Sequence, residues 1–352
     1  MPNSKKVTIK DVAQLAGVSP ATVSLVVQGK GNLKTETRQL VAQAIEDTGY
    51  ARKPSTARHS RGLQFAIIVD DISNPYFHTL YEGMETELVT AGHYATLLSS
   101  HDSVDRQRQL LRDLWETEIG GVVLVPATGT KQSDLSEFEN RRRPLLMAVR
   151  RIGKTPFDYV GANPMVGMQI ATEHLISLGH TAIGFVGGYQ KNFAYGERYA
   201  GFASSHMSHG LTLRSELVAN GGSTREFGRE AAERLLNKSR RPTALIAYND
   251  LVAIGIMDAI TNAGLKPGRD IAVIGYDDIP EAELQPVPLS SIATPAGKLG
   301  ELIGQALLNW STDGADRSPL DITYPPRLVM RASCGAIDRD LSDGDLDAVA
   351  DL

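Results

Sequence analysis

Ser19, Thr22 and Ser24 place hydroxyls close together near the start of one segment. Such a cluster suits hydrogen bonding to phosphate oxygens, which positions a protein on a nucleic acid without reading its sequence. Catalytic chemistry has no comparable support. The chain contains no G-x-G-x-x-G, P-loop, G-x-S-x-G or Cys/His metal spacing. Its eight histidines are scattered. His206 and His209 lie three apart but lack a carboxylate partner, so neither a metal ion nor a cofactor is expected.

The elements around the hydroxyls must hold them at a DNA surface. Thr8 is placed to cap a first helix, with Asp11 three residues on and Ile9, Val12 and Leu15 as its apolar side. Ala16-Gly17-Val18 reads as a tight turn. Ser19 caps a second helix, and Pro20 opens it where a missing N–H leaves no bond unmade. Val23, Val26 and Val27 form its buried stripe, and Gly29-Lys30-Gly31-Asn32 a loop. A third helix is predicted from about Thr35 to Thr48, with Leu40, Val41, Ala44 and Ile45 inward and Gly49 as its stop. A helix-turn-helix of this kind sets its second helix in the major groove.

Charge agrees. Residues 1–61 carry ten basic and four acidic side chains, a net +6 in a chain whose total is −5. A basic head on an acidic body is the electrostatic footprint of a DNA-binding domain, although a solvated basic arm has the same charge. The single cysteine, Cys334, excludes an intramolecular disulfide and suits a reducing compartment. The first ten residues lack the apolar core of a signal peptide, and no apolar run is long enough for a membrane span, so a cytoplasmic protein is expected.

Arg52 to Gly62 is a polar, basic linker. From Gln64 the pattern becomes strand–helix alternation. Strands are predicted at Phe65–Val69, Tyr94–Leu98, Val122–Val125, Leu145–Val149, Ala182–Val186, Leu245–Ala247, Ile271–Ile274 and Ser291–Thr294. Helices are predicted at Tyr76–Ala91, Asp105–Glu118, Val166–Leu178, Arg225–Leu236, Leu251–Ala263 and Leu299–Trp310. The fold class expected is a small all-α helix-turn-helix head on a two-lobed α/β body of doubly wound parallel sheets. The divisions expected are 1–50 for the head, 51–63 for the hinge, 64–335 for the body and 336–352 for an acidic, disordered tail. One lobe takes about 64–160 plus 293–320, the other 161–292 plus 321–335, with a lobe-level turn at Gly179-His180. Ligands of such sheets bind beyond the carboxyl ends of strands. Asp71 to Phe77, Asn249 with Asp250, and Asp277 with Asp278 all stand there. Asp250 and Asp278 equally suit helix caps.

The string Thr8-Ile9-Lys10-Asp11-Val12-Ala13-Gln14-Leu15-Ala16-Gly17-Val18-Ser19, followed by Ala21-Thr22-Val23-Ser24, closely resembles the head of the lactose/galactose repressor (LacI/GalR) family. The resemblance resumes at Asp71-Ile72-Ser73-Asn74-Pro75-Tyr76-Phe77, at Gly184-Phe185-Val186-Gly187-Gly188, at Ala247-Tyr248-Asn249-Asp250 and at Ile274-Gly275-Tyr276-Asp277-Asp278-Ile279-Pro280. It implies a periplasmic-binding-protein-like body and an effector pocket between the lobes. By motif match that pocket uses Tyr76, Phe77, Asn163, Arg198, Asn249 and Asp277. It also implies candidate DNA contacts at Thr8, Ser19, Pro20, Ala21, Thr22, Ser24, Leu25, Gln28, Asn32, Lys53, Arg58 and His59.

The chain departs from the family pattern in places. Base-reading positions of the recognition helix are Pro20, Ala21 and Leu25, which cannot hydrogen-bond a base edge but can touch thymine methyls. That predicts weak direct readout or an A·T-biased operator, unless Leu25 is a core residue. The minor-groove wedge, a leucine in the family, is His59 here, a poor wedge. Arg58 and Lys53 remain candidates for minor-groove contact. After the strand Leu145–Val149, Val149 stands in the place of an acid and Arg150-Arg151 follow, which suits an acidic or phosphorylated ligand. Ser223 stands where an aromatic is common, so a sugar-stacking face is expected to be missing.

The reading is a ligand-responsive DNA-binding transcription regulator, a repressor of a sugar or related catabolic operon. Its partners would be double-stranded operator DNA, a small-molecule effector and a second copy of the chain, as a homodimer or a tetramer. A periplasmic solute-binding protein fits the body but predicts a signal peptide and no basic head. A nucleic-acid-binding protein without a ligand leaves the pocket residues unexplained.

Overall fold

In a computed structural model, which describes residues 8–27, 35–48, 62–139, 143–153, 155–313 and 318–336, the chain divides into two compact units at residues 61/62. The first holds α1 (Ile9–Leu15), α2 (Pro20–Val27) and α3 (Thr35–Thr48). Asp11 accepts the backbone N–H and the hydroxyl of Thr8, both at 2.7 Å, which fixes the start of α1. Gly17 ends it with φ of +65°, and the Val18 N–H reaches back to the Ala13 carbonyl at 3.0 Å. This left-handed closure favours a residue without Cβ.

The head's core is Val12, Ala13, Ala16, Val23, Val41 and Ala44, with Val18, Val26 and Ile45 packed against it. Two expected core residues lie elsewhere: Leu15 and Leu40 are exposed. Each helix advances about 100° per residue. The buried faces centre on Val12, Ala13 and Ala16, and on Val41, Ala44 and Ile45. Leu15 and Leu40 fall roughly a quarter turn off those centres.

The second unit is built on two six-stranded sheets. Its strands are β1 (Gln64–Val69), β2 (Tyr94–Ser99), β3 (Ile119–Leu124), β4 (Leu145–Ala148), β5 (Asp158–Ala162), β6 (Ile183–Val186), β7 (Val218–Ala219), β8 (Ala244–Ala247), β9 (Ala272–Asp277), β10 (Ser290–Ala293), β11 (Asp321–Tyr324) and β12 (Arg327–Val329). The first sheet runs β11-β5-β4-β3-β1-β2 and is parallel throughout. The second runs β12-β10-β9-β8-β6-β7 and is parallel except for β12 against β10. Apolar runs such as Phe65–Val69 are buried, as strands covered on both faces require.

The helices are α4 (Pro75–Thr90), α5 (Val104–Trp115), α6 (Pro164–Ser177), α7 (Phe193–Ser208), α8 (Arg225–Leu236), α9 (Asp250–Asn262), α10 (Pro280–Glu283) and α11 (Ala296–Asp313). On the first sheet, α11 packs along α4; on the second, α6 packs on α7 and α8 on α9. The chain passes between lobes at Ala162–Asn163, again between β10 and α11, and again between β11 and β12. The expected lobe assignment is corrected in two places. Residues 321–324 form β11 and pair with β5 of the first sheet, so the last crossing falls after Tyr324, at Pro325-Pro326. Gly179, at φ of +84°, ends α6 within the second lobe and marks no crossing. Arg198 lies inside α7, because Asn192 caps that helix six residues upstream.

Candidate effector cleft and nucleic-acid interface

Helix N-termini face the carboxyl ends of both sheets. Asn74, Asn163, Asn192 and Asn249 are the N-caps of α4, α6, α7 and α9, each accepting a backbone N–H with its side chain. The ends of these helices direct N–H groups and positive dipole ends towards one region, which favours electronegative ligand atoms. Backbone strain collects there too. Among the described residues, the non-glycine positions with positive φ are His101, Asp102, Val149, Asp277 and Asp278. They end or follow β2, β4 and β9, on the carboxyl-end side of the sheets, and strained backbone of this kind clusters at functional sites.

Arg198 is the centre of the second lobe's contribution. Its guanidinium lies between two rings, with Cζ 4.2 Å from the Tyr248 centroid and 3.8 Å from that of Tyr276. Its Nη1 donates to the Tyr248 carbonyl. Its Nη2 stands 3.8 Å from Asp277 Oδ1, close enough for charge attraction and too far for a hydrogen bond. Arg198 Nε, Tyr248 OH and Tyr276 OH are buried without a protein partner. Burial pushes the Asp277 carboxyl up to about 6, against the pull of Arg198 and a hydrogen bond with Asn74.

The other motif-matched residues divide into supports and linings. Tyr76 is buried, its OH accepts from Thr294 at 3.2 Å, and its ring meets Phe77 edge-on at 5.6 Å. Phe77 packs into the apolar core. Asn249 uses its amide structurally, accepting the Val252 N–H at 2.9 Å and donating to the Ser223 carbonyl at 3.0 Å. Asn163 caps α6 and also lines an open cavity of about 650 Å³ between the lobes. Asp250 is not the cap of α9. Its carboxylate accepts the Ile279 N–H at 2.8 Å and the Ser291 hydroxyl at 2.6 Å, seated where a Cβ on Gly275 would collide with it. Asp278 caps nothing either; it pairs with Arg331 at 2.7 Å.

The surplus of cleft arginine expected from Arg150-Arg151 is already neutralised. Arg150 pairs with Asp70 at 2.6 Å, and Arg151 forks onto Asp321 with both bonds at 2.7 Å while lying over the Tyr159 ring. Phe193, which the sequence reading passed over, lines the cavity and exposes 44% of its surface, so an aromatic face is present in place of the one missing at Ser223. Its signal was its position directly after the Asn192 cap. His206 is buried with Nδ1 2.9 Å from the Phe202 carbonyl, and His209 meets the Ser205 carbonyl at 3.0 Å. No group of three or more metal-ligating side chains occurs among the described residues.

In the head, Ser19 accepts the Thr22 N–H at 3.1 Å, and the two hydroxyls are 2.9 Å apart. Ser19, Pro20 and Thr8 are exposed. Leu25 is 39% exposed and so does not belong to the head's core. Ala21 and Ser24 lie on α2, with only their backbone described. Gln28, Asn32, Lys53, Arg58 and His59, and the hinge expectations resting on them, lie outside the described residues.

A helix-turn-helix head joined to a two-lobed body with a polar cleft defines a class of ligand-sensing DNA-binding proteins. The chain's residues 8–53 match the model of bacterial regulatory proteins of the lacI family, and residues 172–334 that of the periplasmic binding protein-like domain. It is 31% identical to the HTH-type transcriptional repressor PurR of Photobacterium profundum, over 93% of this chain and 98% of that one. It is 29% identical to the maltose regulon regulatory protein MalI of Escherichia coli, covering 94% and 99%. Among solved structures, a transcriptional regulator CelR–cellobiose complex superposes with a TM-score of 0.70 at 25% identity, covering 93% and 99%. A lac repressor dimer bound to operator and the anti-inducer ONPF shares the fold, with a TM-score of 0.72 at 24% identity over 94% and 99%. The chain therefore belongs to the lacI family of bacterial regulatory proteins; it is a DNA-binding transcription regulator and not an enzyme. Among the described residues no helix is long and apolar enough to cross a membrane.

Proposed function

We propose that this protein is a cytoplasmic, homodimeric repressor whose operator affinity is set by a small polyhydroxyl effector bound between the lobes. The division of labour is 1–50 for DNA, 51–63 for the hinge and 64–335 for effector binding and dimerisation. The observation that carries the reading is the set of buried, unpartnered polar atoms at the cleft: Arg198 Nε, Tyr248 OH and Tyr276 OH from the second lobe and Asp70 Oδ1 from the first. Orphaned polar groups are costly inside a protein, and a ligand bearing hydroxyls satisfies donors and acceptors alike. PurR is named as a repressor, MalI as a maltose regulon regulator, and CelR was solved with cellobiose; the last two support sugars and their derivatives as candidates. An effector acts only through preferring one arrangement of the lobes, and thereby one spacing of the two heads.

The proposed contacts are Tyr76, Asn163, Arg198, Asn249 and Asp277 for the effector, with Phe77 as packing behind Tyr76. Thr8, Ser19, Thr22 and Ser24 serve phosphates, and Pro20, Ala21 and Leu25 face bases. A thermal-shift screen of the full chain against sugars, sugar acids, sugar phosphates and purines tests the reading. A stabilising compound whose shift disappears in Arg198→Ala supports it; shifts equal in both proteins contradict it.

A further inference from the structure

Exposed cations collect at the amino ends of the second sheet, opposite the ends that face the cleft. The loop entering β8 carries Lys238, Arg240 and Arg241, and the loop entering β9 carries Lys266 and Arg269; all five are exposed. The Ala272 N–H donates to the Thr243 carbonyl at 3.0 Å, which sets these two loops side by side. Arg214, ahead of β7, donates to the Arg240 carbonyl at 2.8 Å and extends the band. Strands β9, β8, β6 and β7 are consecutive in the sheet, so the band runs about 14 Å, at roughly 4.8 Å per strand. Two acids stand within it, and both are engaged. Glu216 pairs with Arg214 at 2.8 Å, and Asp270 accepts the Lys266 N–H at 2.8 Å and pairs with Arg269. Lys238, Arg240, Arg241 and Lys266 form no salt bridge among the described residues.

The described chain ends beside this band. Ala336 packs against the apolar cluster of the second lobe. A Cβ on Gly335 would stand 2.4 Å from the Gly268 carbonyl oxygen, and Gly268 lies between Lys266 and Arg269. Residues 337–352 lie outside the described residues, and their sequence holds six aspartates and one arginine. Asp338 is two residues from Ala336, and an extended chain advances about 3.3–3.6 Å per residue. The acids therefore begin within reach of the cations, and the segment is long enough to follow the whole band. Free cations on the body of a DNA-binding protein attract phosphates without regard to sequence. A tethered acidic segment meets those cations at an effective concentration of order millimolar, whatever the concentration of the protein.

We propose that the basic band at the amino ends of β7, β8 and β9 is a docking surface for residues 337–352 of the same chain. Docked there, the acidic segment keeps nucleic acid off the body and leaves the head as the surface that meets DNA.

The test couples carboxylates to touching lysine amines with a carbodiimide, in the full chain mixed with a heavy-isotope-labelled copy. Coupling of the aspartates of 337–352 to Lys238 or Lys266 within one chain is expected, and high salt should weaken it. Arg240→Gln/Arg241→Gln keeps both lysines and is expected to lower that yield at least about threefold. Anisotropy on a mixed-sequence duplex reads the shielding. With the native tail, Arg240→Gln/Arg241→Gln is expected to weaken duplex binding less than about 1.5-fold. With all six tail aspartates changed to asparagine, the same pair is expected to weaken it at least about threefold. Coupling to lysines of residues 1–61 instead, coupling only between two chains, or none to Lys238 or Lys266 overturns the proposal. So does a yield that Arg240→Gln/Arg241→Gln leaves unchanged, or an equal effect of that pair on duplex binding with either tail.

Discussion

Asp70 and Arg150, 80 residues apart in sequence, form a 2.6 Å ion pair that joins the carboxyl ends of β1 and β4 at the cleft. Burial works against both charges: it raises the Asp70 carboxyl despite Arg150, while Asp70, Tyr248 and Asp102 together hold Arg150 above its ordinary value. Removing one partner leaves the other charged and alone. Asp70→Ala or Arg150→Ala is therefore expected to lower unfolding free energy by about 3–5 kcal/mol, whereas Asp70→Leu/Arg150→Met recovers most of that loss. Urea unfolding of the full chain, followed on the body's transition, reads the difference. Equal losses in single and paired variants would contradict the assignment.

Val149 pays for its place in conformation. A β-branched residue at φ of +64° is strained by about 1–3 kcal/mol, and glycine relieves that at an entropic cost of about 0.5–1 kcal/mol. Val149→Gly is expected to be neutral or to stabilise by up to about 2 kcal/mol. A melting curve shifted clearly downward argues against the strained turn.

Asp277 gives the cleft a pH dependence. Its carboxyl is raised by burial to about 6 from an ordinary 3.8. The folded protein thus holds that proton more tightly than the unfolded chain does. The stabilisation is complete below about pH 3.8 and is lost as pH rises through about 6. The loss by neutrality is of order 3 kcal/mol, at about 1.4 kcal/mol for each pH unit. Asp277→Asn carries no such proton, so its stability relative to wild type should rise as pH is taken from about 4 to about 7. Parallel urea titrations across that range check this, and a constant difference counts against a buried, raised carboxyl.

Ser19 caps α2, and its hydroxyl is among those proposed to meet DNA phosphates. Ser19→Ala should cost the head about 1 kcal/mol through the lost bond to the Thr22 N–H. DNA affinity of the wild type should fall steeply as salt rises, because basic contacts release counterions. Anisotropy titrations on duplex DNA over a salt series measure the slope. A flat response would remove the basis for phosphate contact.

Much of the architecture was legible because it is local. Strand–helix alternation, the Ser19-Pro20 start and the Gly17 turn are written in neighbouring residues. Which sheet a strand joins is not local. Asp321–Tyr324 is a short edge strand, half-exposed in alternation, and nothing in its residues says that it pairs with β5. β5 itself, Asp158–Ala162, mixes an acid and a glycine into a strand of five residues, which weakens its apolar run. In the site, Asn249 and Asp277 stood out from their positions after strands. The stack of Arg198 between Tyr248 and Tyr276 did not, since its members lie 50 and 78 residues apart. The Asp70–Arg150 pair left only an indirect sign, the valine where an acid was expected.

Coupling between the cleft and the DNA head is the core of the account. It is measured most directly by anisotropy on a duplex that the full chain selects from a random pool, with and without the sugar that stabilises it most. The account predicts at least about a tenfold change in duplex affinity for wild type and none for Arg198→Ala, which still binds the duplex. An affinity that the sugar leaves unchanged in wild type, or changes equally in Arg198→Ala, contradicts it.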